Sequence, residues 1–269
     1  MNSLALASPT LCRLRFAPAA EPAGAISFSF ADPAPSQATG DAVPLNTPPP
    51  ADSAALVPAD LEILVGPAAL RDDPRWRDGA TAWLAAPAAL TARHGEWQVA
   101  WCIGRAVLFA PPPLTAAALE AVVDFAHYEH ELRRIERALT AAWPAVEADT
   151  PLAYDITKAD VARDREIGRR ARAVLQLRIS LSRIEPHLSR PPARFPRAAA
   201  ELGTALREGA RCDVRAETAS DQLEAQEYVY EMASQRLGEY RHARQGFVLE
   251  TIIILLLAAE VVLLLLPFG

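Results

Sequence analysis

The most prominent hydrophobic pattern is an aliphatic run near the end of the sequence. From Thr251 to Leu266 the only polar side chains are those of Thr251 and Glu260. A helix rises about 1.5 Å per residue, so residues 247–268 are long enough for a bilayer core of about 30 Å. The run is apolar on every side rather than along one stripe, which favours a membrane span over a buried core helix. The pattern predicts one C-terminal transmembrane helix.

Charged residues beside and within this run predict its orientation and its partners. Arg236, Arg241 and Arg244 precede the run and no basic residue follows it, so the preceding part is expected to stay in the cytoplasm. The predicted location is the inner (cytoplasmic) membrane, crossed once. Glu260 lies ten residues beyond Glu250, at a depth where an ionisable group usually faces a partner. The expected partners are the lipid bilayer, further copies in a homo-oligomer, and a membrane protein that meets Glu260.

Alternation of apolar and polar positions predicts strand structure in the middle of the first half. Bulky apolar residues occupy the odd positions from Trp97 to Ile103, and a second apolar run ends at Phe109. We expect strand structure through 97–109, kinked at Gly104.

The first 58 residues have a different character. Two short alternating stretches within 11–30 predict a short hairpin. Residues 31–58 contain seven prolines among small and polar residues. Such a segment buries too little apolar surface to order itself, so it is predicted to be a linker.

Helical spacing dominates the second half. A helix is predicted over 115–143, ended by Pro144, and a short strand over 152–156. The next helix has one apolar stripe at spacings of three and four residues: Ile167, Ala171, Val174, Leu177, Leu181, Ile184 and Leu188. That stripe predicts a helix packed on a core. Two further helices are predicted at about 197–211 and 216–246.

A weak heptad occurs in the last of these helices. Leu223, Tyr230 and Leu237 are seven residues apart. This spacing is typical of a seam between packed helices. It predicts either a helical hairpin within the chain or a contact between copies.

These patterns together predict an α+β protein, with a soluble α/β head followed by a helical stalk and one C-terminal transmembrane helix. The predicted boundaries are 1–58 for the N-terminal segment and linker, 59–190 for the α/β head domain, 191–246 for the stalk and 247–268 for the span.

Charge is distributed unevenly along the sequence. The net charge is −6, yet residues 158–215 hold 14 Lys and Arg against seven Asp and Glu. Such a basic segment either binds phosphate or anionic lipid, or pairs with the acidic segments on either side. We favour pairing. The three cysteines lie 90 and 110 residues apart without metal-binding spacing, which predicts reduced thiols.

Residues 124–131 contain the one cluster of potential metal ligands, Asp124, His127, His130 and Glu131. On a helix, Asp124, His127 and Glu131 share a face, as convergent ligands must. Three arginines follow within six residues, so a solvated charged helix explains the same residues. We favour the solvated helix, with the metal site as the alternative.

No motif in the sequence identifies a cofactor or a reaction. The phosphate-binding patterns GxxxxGK[ST] and GxGxxG are absent, as is the nucleophile pattern GxSxG. Aromatic and basic residues do not interleave as they do in single-strand binders. No cofactor, no specific nucleic acid and no catalytic residue is predicted, and a non-enzymatic role is favoured.

One combination of features resembles a known family. It is carried by Arg236–Leu237, Leu249–Glu250, Glu260 within the aliphatic run, an apolar strand at 97–109, an amphipathic helix at 172–185 and a proline-containing break at 188–196. In this combination the chain resembles the "required for meiotic nuclear division" family, a domain of unknown function that also occurs in bacteria.

The resemblance implies an architecture and a class of function. Its eukaryotic members are mitochondrial inner-membrane proteins that are associated with organelle translation and form large homo-oligomers. The expected function is therefore an oligomeric scaffold or tether on the cytoplasmic face of the inner membrane. Two alternatives remain. One is a membrane-bound metal-dependent enzyme using His127 and His130, and the other is an accessory subunit of a membrane complex using Glu260.

Overall fold

Seven strands form one mixed sheet among the described residues of the first half of the chain. In this computed structural model, which describes residues 8–18, 26–50, 60–84, 90–95 and 97–265, the strands are β1 (Thr10–Pro18), β2 (Ile26–Phe30), β3 (Ser36–Pro44), β4 (Leu61–Pro67), β5 (Leu90–His94), β6 (Trp97–Cys102) and β7 (Arg105–Ala110). Their order across the sheet is β2-β3-β1-β4-β7-β6-β5. β4 and β7 are parallel, and the other neighbours are antiparallel.

Among the described residues, five α-helices accompany the sheet. They are α1 (Pro74–Leu84), α2 (Pro112–Asp149), α3 (Asp164–Ser189), α4 (Arg197–Gly209) and α5 (Cys212–Leu265), with short 3₁₀ helices at Ala68–Arg71, Thr150–Ala153 and Asp160–Arg163. The described residues thus form a mixed α/β fold in which a seven-stranded sheet is followed by long helices. The predicted fold class as a whole is wrong, because it included a transmembrane helix that the described residues do not provide.

The chain divides into two compact units. One comprises Met1–Arg137 and Ile179–Ala219, and the other comprises Ala138–Arg178 and Ser220–Gly269. The sheet, α1 and α4 belong to the first unit. The second unit contains only helical elements among its described residues.

The centre of the sheet is its most apolar part. In β4, Leu61, Ile63, Leu64 and Val65 have no solvent exposure, as expected for a strand covered on both faces. On one face, Leu64 packs in a cluster with Trp76 and Trp83 of α1 and with Phe109 of β7. The apolar run of β4 therefore fixes the position of α1.

The predicted kinked strand over 97–109 is two strands. β6 and β7 pair antiparallel, with Cys102 opposite Arg105. Gly104 has a φ of 77°, which costs little for glycine and lets the chain reverse there. The glycine that predicted a kink thus forms a tight turn.

The predicted linker over 31–58 is wrong for its middle part. β3 lies within it and pairs with β1 on one side and β2 on the other. No proline falls inside the ladder between Gln37 and Val43, so every residue there keeps its N–H. A side chain on Gly40 would place Cβ 1.7 Å from the Arg13 carbonyl oxygen, so glycine permits the close pairing. Residues 51–59 lie outside the described part.

The predicted hairpin over 11–30 is also corrected. β1 and β2 both form, but β3 lies between them in the sheet. Alternation identified the strands correctly, whereas the pairing depends on β3, whose sequence has few bulky apolar residues. The two strands are therefore not direct partners.

Two elements near Pro144 also differ from the prediction. α2 continues through Pro144 to Asp149 rather than ending before the proline. Proline removes only one helical hydrogen bond, and the buried Val146 and Asp149 beyond it hold the last turn. The predicted strand over 152–156 is instead the 3₁₀ helix Thr150–Ala153 and irregular structure.

Two predicted apolar seams are buried. On α3, Ile167, Val174, Leu181, Ile184 and Leu188 are at most 3 % exposed, which confirms these five residues of the predicted stripe, while Ala171 and Leu177 are partly exposed. On α5, Leu223, Gln226, Tyr230, Ala233 and Leu237 alternate at spacings of three and four residues and are at most 2 % exposed. Since these α5 residues are buried within one chain, the heptad is an intramolecular seam rather than a contact between copies.

The predicted transmembrane helix is not supported. Among the described residues, which end at Leu265, no helix is both long enough and apolar enough to cross a membrane. The uncharged run between Glu250 and Glu260 has nine residues, about 14 Å of helix against a core of about 30 Å. The predicted span over 247–268, and with it the single-pass inner-membrane location and the cytoplasmic head, is overturned by this finding.

The α5 seam makes a stability prediction. Leu223→Ala removes a fully buried side chain and is expected to lower the free energy of unfolding by about 2–5 kcal/mol. Leu175→Ala on α3, where the side chain is 51 % exposed, should change it by about 0.5 kcal/mol or less. Urea unfolding at two protein concentrations tests this. A loss for Leu223→Ala that depends on concentration would instead indicate a contact between copies.

Candidate functional site

The acidic and histidine-containing segment of α2 is buried. Asp124, His127 and Glu129 are only 2–3 % exposed, and His130 is half-buried. Nearby, the Phe125 ring packs edge-on against Trp101 of β6. The interpretation as a solvated helix face is therefore wrong. The segment is polar enough to lie at the surface. Arginines that are distant in the sequence instead pair with its acidic side chains and so allow their burial.

Asp124 is held by an arginine of α4. Arg207 donates from Nη2 to Asp124 Oδ2 at 2.7 Å, and both side chains are 4 % exposed. The same guanidinium donates to the carbonyl oxygens of His187 and Gly203. Burial raises the pKa of Asp124, while Arg207 opposes that shift. This pair links α2, α3 and α4 within the first unit.

Glu129 and Glu136 share the guanidinium of Arg215. Arg215 donates to both carboxylate oxygens of Glu136, at 2.8 and 2.6 Å, and to Glu129 at 3.0 Å. Arg133 also donates to Glu129. The hydrogen bonds with Glu136 are the main reason why the pKa of Arg215 is raised.

The second unit has the same kind of pairing. Asp149, with no solvent exposure, accepts hydrogen bonds from Arg163 and Arg170. Arg178 donates to Glu227 and to the Ser220 hydroxyl. Arginines of the basic segment 158–215 therefore bind carboxylates in both units, which confirms the predicted pairing with acidic segments.

The His127 ring lies in an aromatic cluster. It stacks on Phe30 at 3.9 Å between ring centroids, and its Nε2 lies 3.2 Å from the Asp32 carbonyl oxygen. Burial lowers the pKa of His127. A carbonyl oxygen only accepts, so Nε2 carries the hydrogen and the neutral ring leaves Nδ1 as an acceptor. Nδ1 is buried without a partner among the described residues.

Asp32 receives two further side chains from α3. Arg183 donates to its Oδ1 at 3.0 Å, and His187 Nε2 lies 3.3 Å from its Oδ2. The His187 ring stacks on Tyr128 at 4.2 Å. The short segment between β2 and β3 is thus fixed to α2 and α3 through one aspartate.

The predicted metal ligands do not converge. Asp124 is occupied by Arg207, Glu131 accepts from Arg134 at 3.0 Å, and His127 Nε2 faces a carbonyl oxygen. Within the described ranges, no group of three His, Cys, Asp or Glu side chains could hold a metal ion. The structure offers no geometric support for the metal-dependent alternative.

A cleft of about 560 Å³ is lined by Trp101, Glu129 and three arginines, Arg105, Arg133 and Arg215, among others. Arg105 pairs with Glu62 at 3.4 Å, and the other two pair with the α2 carboxylates. The arginines are therefore matched by acids, which does not favour an anion site. A smaller cavity of about 290 Å³ lies beside His127.

The residues predicted to set orientation have other contacts. Arg241 donates to Asp164 at 2.8 Å, and Arg236 donates to Glu239 at 3.1 Å. Arg244, Glu250 and Glu260 are exposed. Because the predicted span is overturned, the predicted role of these arginines in setting membrane orientation is overturned as well.

The end of α5 is an unusual surface. All residues from 241 to 261 are exposed. Ten large apolar side chains there are 49–70 % exposed: Phe247, Val248, Leu249, Ile252, Ile253, Ile254, Leu255, Leu256, Leu257 and Val261. We call residues 247–261 the apolar segment. Contiguous apolar surface of this kind marks an interaction site.

Comparisons with known proteins give little further guidance. Neither the protein-family models nor the curated proteins match the chain. Among solved structures, the full-length CmaX protein is similar over 86 % of this chain and 83 % of its own, with 15 % identity and a TM-score of 0.38. That likeness is too weak to carry an argument, and the resemblance to the "required for meiotic nuclear division" family stays a prediction.

The Asp124–Arg207 pair makes a second prediction. Asp124→Ala leaves a buried guanidinium uncompensated and should lower the free energy of unfolding by about 3–5 kcal/mol. Asp124→Leu combined with Arg207→Met should cost much less, because no charge is stranded. Glu120→Ala, which removes the more exposed pair with Arg194, should cost about 1 kcal/mol or less. Chemical denaturation measures all three. Equal losses for the single and double Asp124 variants would contradict this account.

His127 makes a prediction about pH. Its pKa in the folded protein is below the ordinary value of 6.5, so the unfolded chain binds the proton more readily. The stability contributed by the neutral ring is complete above pH 6.5 and is lost as the pH falls below it. His127→Phe keeps an aromatic ring against Phe30 and should reduce this loss. Unfolding free energies at pH 7.5 and pH 5 measure it, and an unchanged pH dependence in the variant would contradict the assignment.

Proposed function

We propose that the protein is a non-enzymatic scaffold that self-associates through the apolar segment of α5. The observation that carries the proposal is the exposure of ten large apolar side chains on one continuous helix. An interface of standard size buries ~800 Å² per partner. Ten half-exposed aliphatic and aromatic side chains supply apolar area on that scale. Leaving that much apolar surface exposed to water is unfavourable.

The distribution of these side chains favours further copies of the chain as the partner. Ile252, Ile253, Ile254 and Leu255 are consecutive and all exposed, so they point to every side of the helix. A helix that is apolar all round is normally surrounded by neighbours. Each copy brings the same uncovered segment, so a bundle of several such segments covers all of them at once, with the closed symmetry usual for homo-oligomers.

The buried ion pairs also support a structural role. Asp124 and Glu129 are the acids on α2 that would be candidates for proton transfer. Arg207 binds Asp124, and Arg215 and Arg133 bind Glu129. A general acid or base must reach its substrate within hydrogen-bond distance. Carboxylates already held by arginines are poorly placed for that, so a scaffold is favoured over an enzyme. A contribution of Glu260 to the bundle stays a prediction.

Native mass of the full chain tests the proposal. Wild type is expected to form a defined oligomer. Ile252→Glu combined with Leu255→Glu should shift it to monomer, because burying two carboxylates in an apolar bundle costs several kcal/mol. Tyr228→Glu is the matched control, since Tyr228 is 59 % exposed on the same helix but lies outside the apolar segment. It should leave the mass unchanged.

Two results would overturn this function. One is a monomeric wild type at concentrations where the protein is folded. The other is an oligomer that survives the double substitution unchanged, because the apolar segment would then not be the interface.

A further inference from the structure

A basic stripe lies on the outer side of α3 in the second unit. Its members Arg165, Arg169 and Arg172 are exposed and recur at spacings of four and three residues, so they share one side of the helix. The buried Ile167 and Val174 follow Arg165 and Arg172 by two residues. Two residues correspond to about 200° around a helix, so the basic stripe points away from the side on which α3 packs.

An acidic stripe lies on the outer side of α5 in the same unit. Its exposed members recur at spacings of three, four and three residues: Asp221, Glu224, Tyr228 and Glu231. Each lies two residues before a buried member of the α5 seam, so this stripe also points away from the packed side of its helix. The sequence from 216 to 235 contains no Lys, Arg or His, so no basic residue on this part of α5 offsets the acids.

The charges of the two stripes are not neutralised within the described part of the chain. Arg165 and Arg172 form no ion pair there, and Arg169 comes only within 3.9 Å of Glu166. The three acids of the acidic stripe likewise have no ion pair among the described residues. In contrast, the neighbouring Arg170 binds the buried Asp149. The outward charges are therefore available to a partner.

Opposite charge and similar length favour another copy of the chain as the partner of both stripes. The basic stripe extends about 10 Å along α3 and the acidic stripe about 15 Å along α5, at about 1.5 Å per residue. Interfaces bring complementary potentials together, and like charges in contact are strongly disfavoured. An anionic membrane would attract the basic stripe and repel the acidic stripe of the same unit. A second copy supplies a stripe of the opposite sign for each.

We propose that the basic stripe of one copy binds the acidic stripe of a neighbouring copy. This inference rests on the proposed self-association, in which the apolar segment supplies most of the affinity, because exposed ion pairs contribute little each. The stripes determine which faces of neighbouring copies meet, as complementary charges do in other interfaces. Each copy has one stripe of each sign, so both stripes are covered in a closed oligomer.

Reversal of one stripe tests this contact. Arg165→Glu, Arg169→Glu and Arg172→Glu are combined in the full-length protein, which then carries two acidic stripes. The dissociation constant of the oligomer at low salt is expected to rise at least about 100-fold, because like charges would then meet. Association of the wild type should weaken as salt is raised from about 0.05 to 0.5 M, because salt screens exposed charges. Native mass over a dilution series measures both effects.

A second set of substitutions restores the opposite signs. Asp221→Arg, Glu224→Arg and Glu231→Arg are added to the reversed basic stripe, and the dissociation constant should return to within about tenfold of wild type, because opposite charges meet again. The matched control reverses three exposed arginines of the first unit, with the same change in net charge: Arg75→Glu, Arg93→Glu and Arg190→Glu. It should leave the native mass unchanged, as should Tyr228→Glu, which only adds an acid to the acidic stripe. Circular dichroism checks the fold of every variant.

The outcomes separate this inference from the proposed function. The stripe contact is refuted, and the proposed function stands, when the reversed basic stripe leaves the dissociation constant unchanged while Ile252→Glu with Leu255→Glu gives monomer. Equal weakening in the control of matched net charge, or a folded chain with both stripes reversed that stays dissociated, also refutes the contact. Binding of wild type to phosphatidylserine vesicles that is lost with the reversed basic stripe would make a membrane its partner instead. A monomeric wild type overturns both proposals.

Discussion

Pairing between buried carboxylates and distant arginines is the interaction on which the rest of this structure depends. Asp124 and Glu129 of α2 lie almost fully buried, and their partners Arg207 and Arg215 come 83 and 86 residues later in the chain. A buried carboxylate without a partner would cost several kcal/mol. The burial of α2 therefore requires α4 and the start of α5 to be in place, which couples the sheet-bearing half of the sequence to the helical half.

This requirement explains the uneven charge of the sequence. Residues 158–215 are strongly basic, and several of their arginines form ion pairs with acids that precede or follow the segment. In the second unit, Arg163 and Arg170 meet Asp149, and Arg178 meets Glu227. Part of a basic segment that suggests a phosphate-binding surface is thus used in ion pairs within the fold. The uneven distribution of charge along this sequence therefore reflects ion pairing within the fold.

Local periodicity predicted those elements whose burial depends on their own residues. The stripe of α3, the heptad of α5 and the alternation of β6 all appear as expected. β3 was missed because its strand identity depends on β1 and β2, which hold its peptide groups on both sides. The buried acids of α2 were missed for the same kind of reason. No local signal distinguishes a carboxylate at the surface from one that meets an arginine more than 80 residues away.

α5 contains one part that packs within the chain and one part that does not. From Leu223 to Leu237 one row of side chains at spacings of three and four is buried, and Arg241 donates to Asp164. From residue 241 to 261 every residue is exposed, and the apolar spacing gives way to consecutive aliphatic side chains. A seam with one stripe needs one neighbour, whereas a helix that is apolar all round needs several. The change of pattern along one continuous helix therefore separates the part that packs within the single chain from the exposed part through which we propose that copies associate.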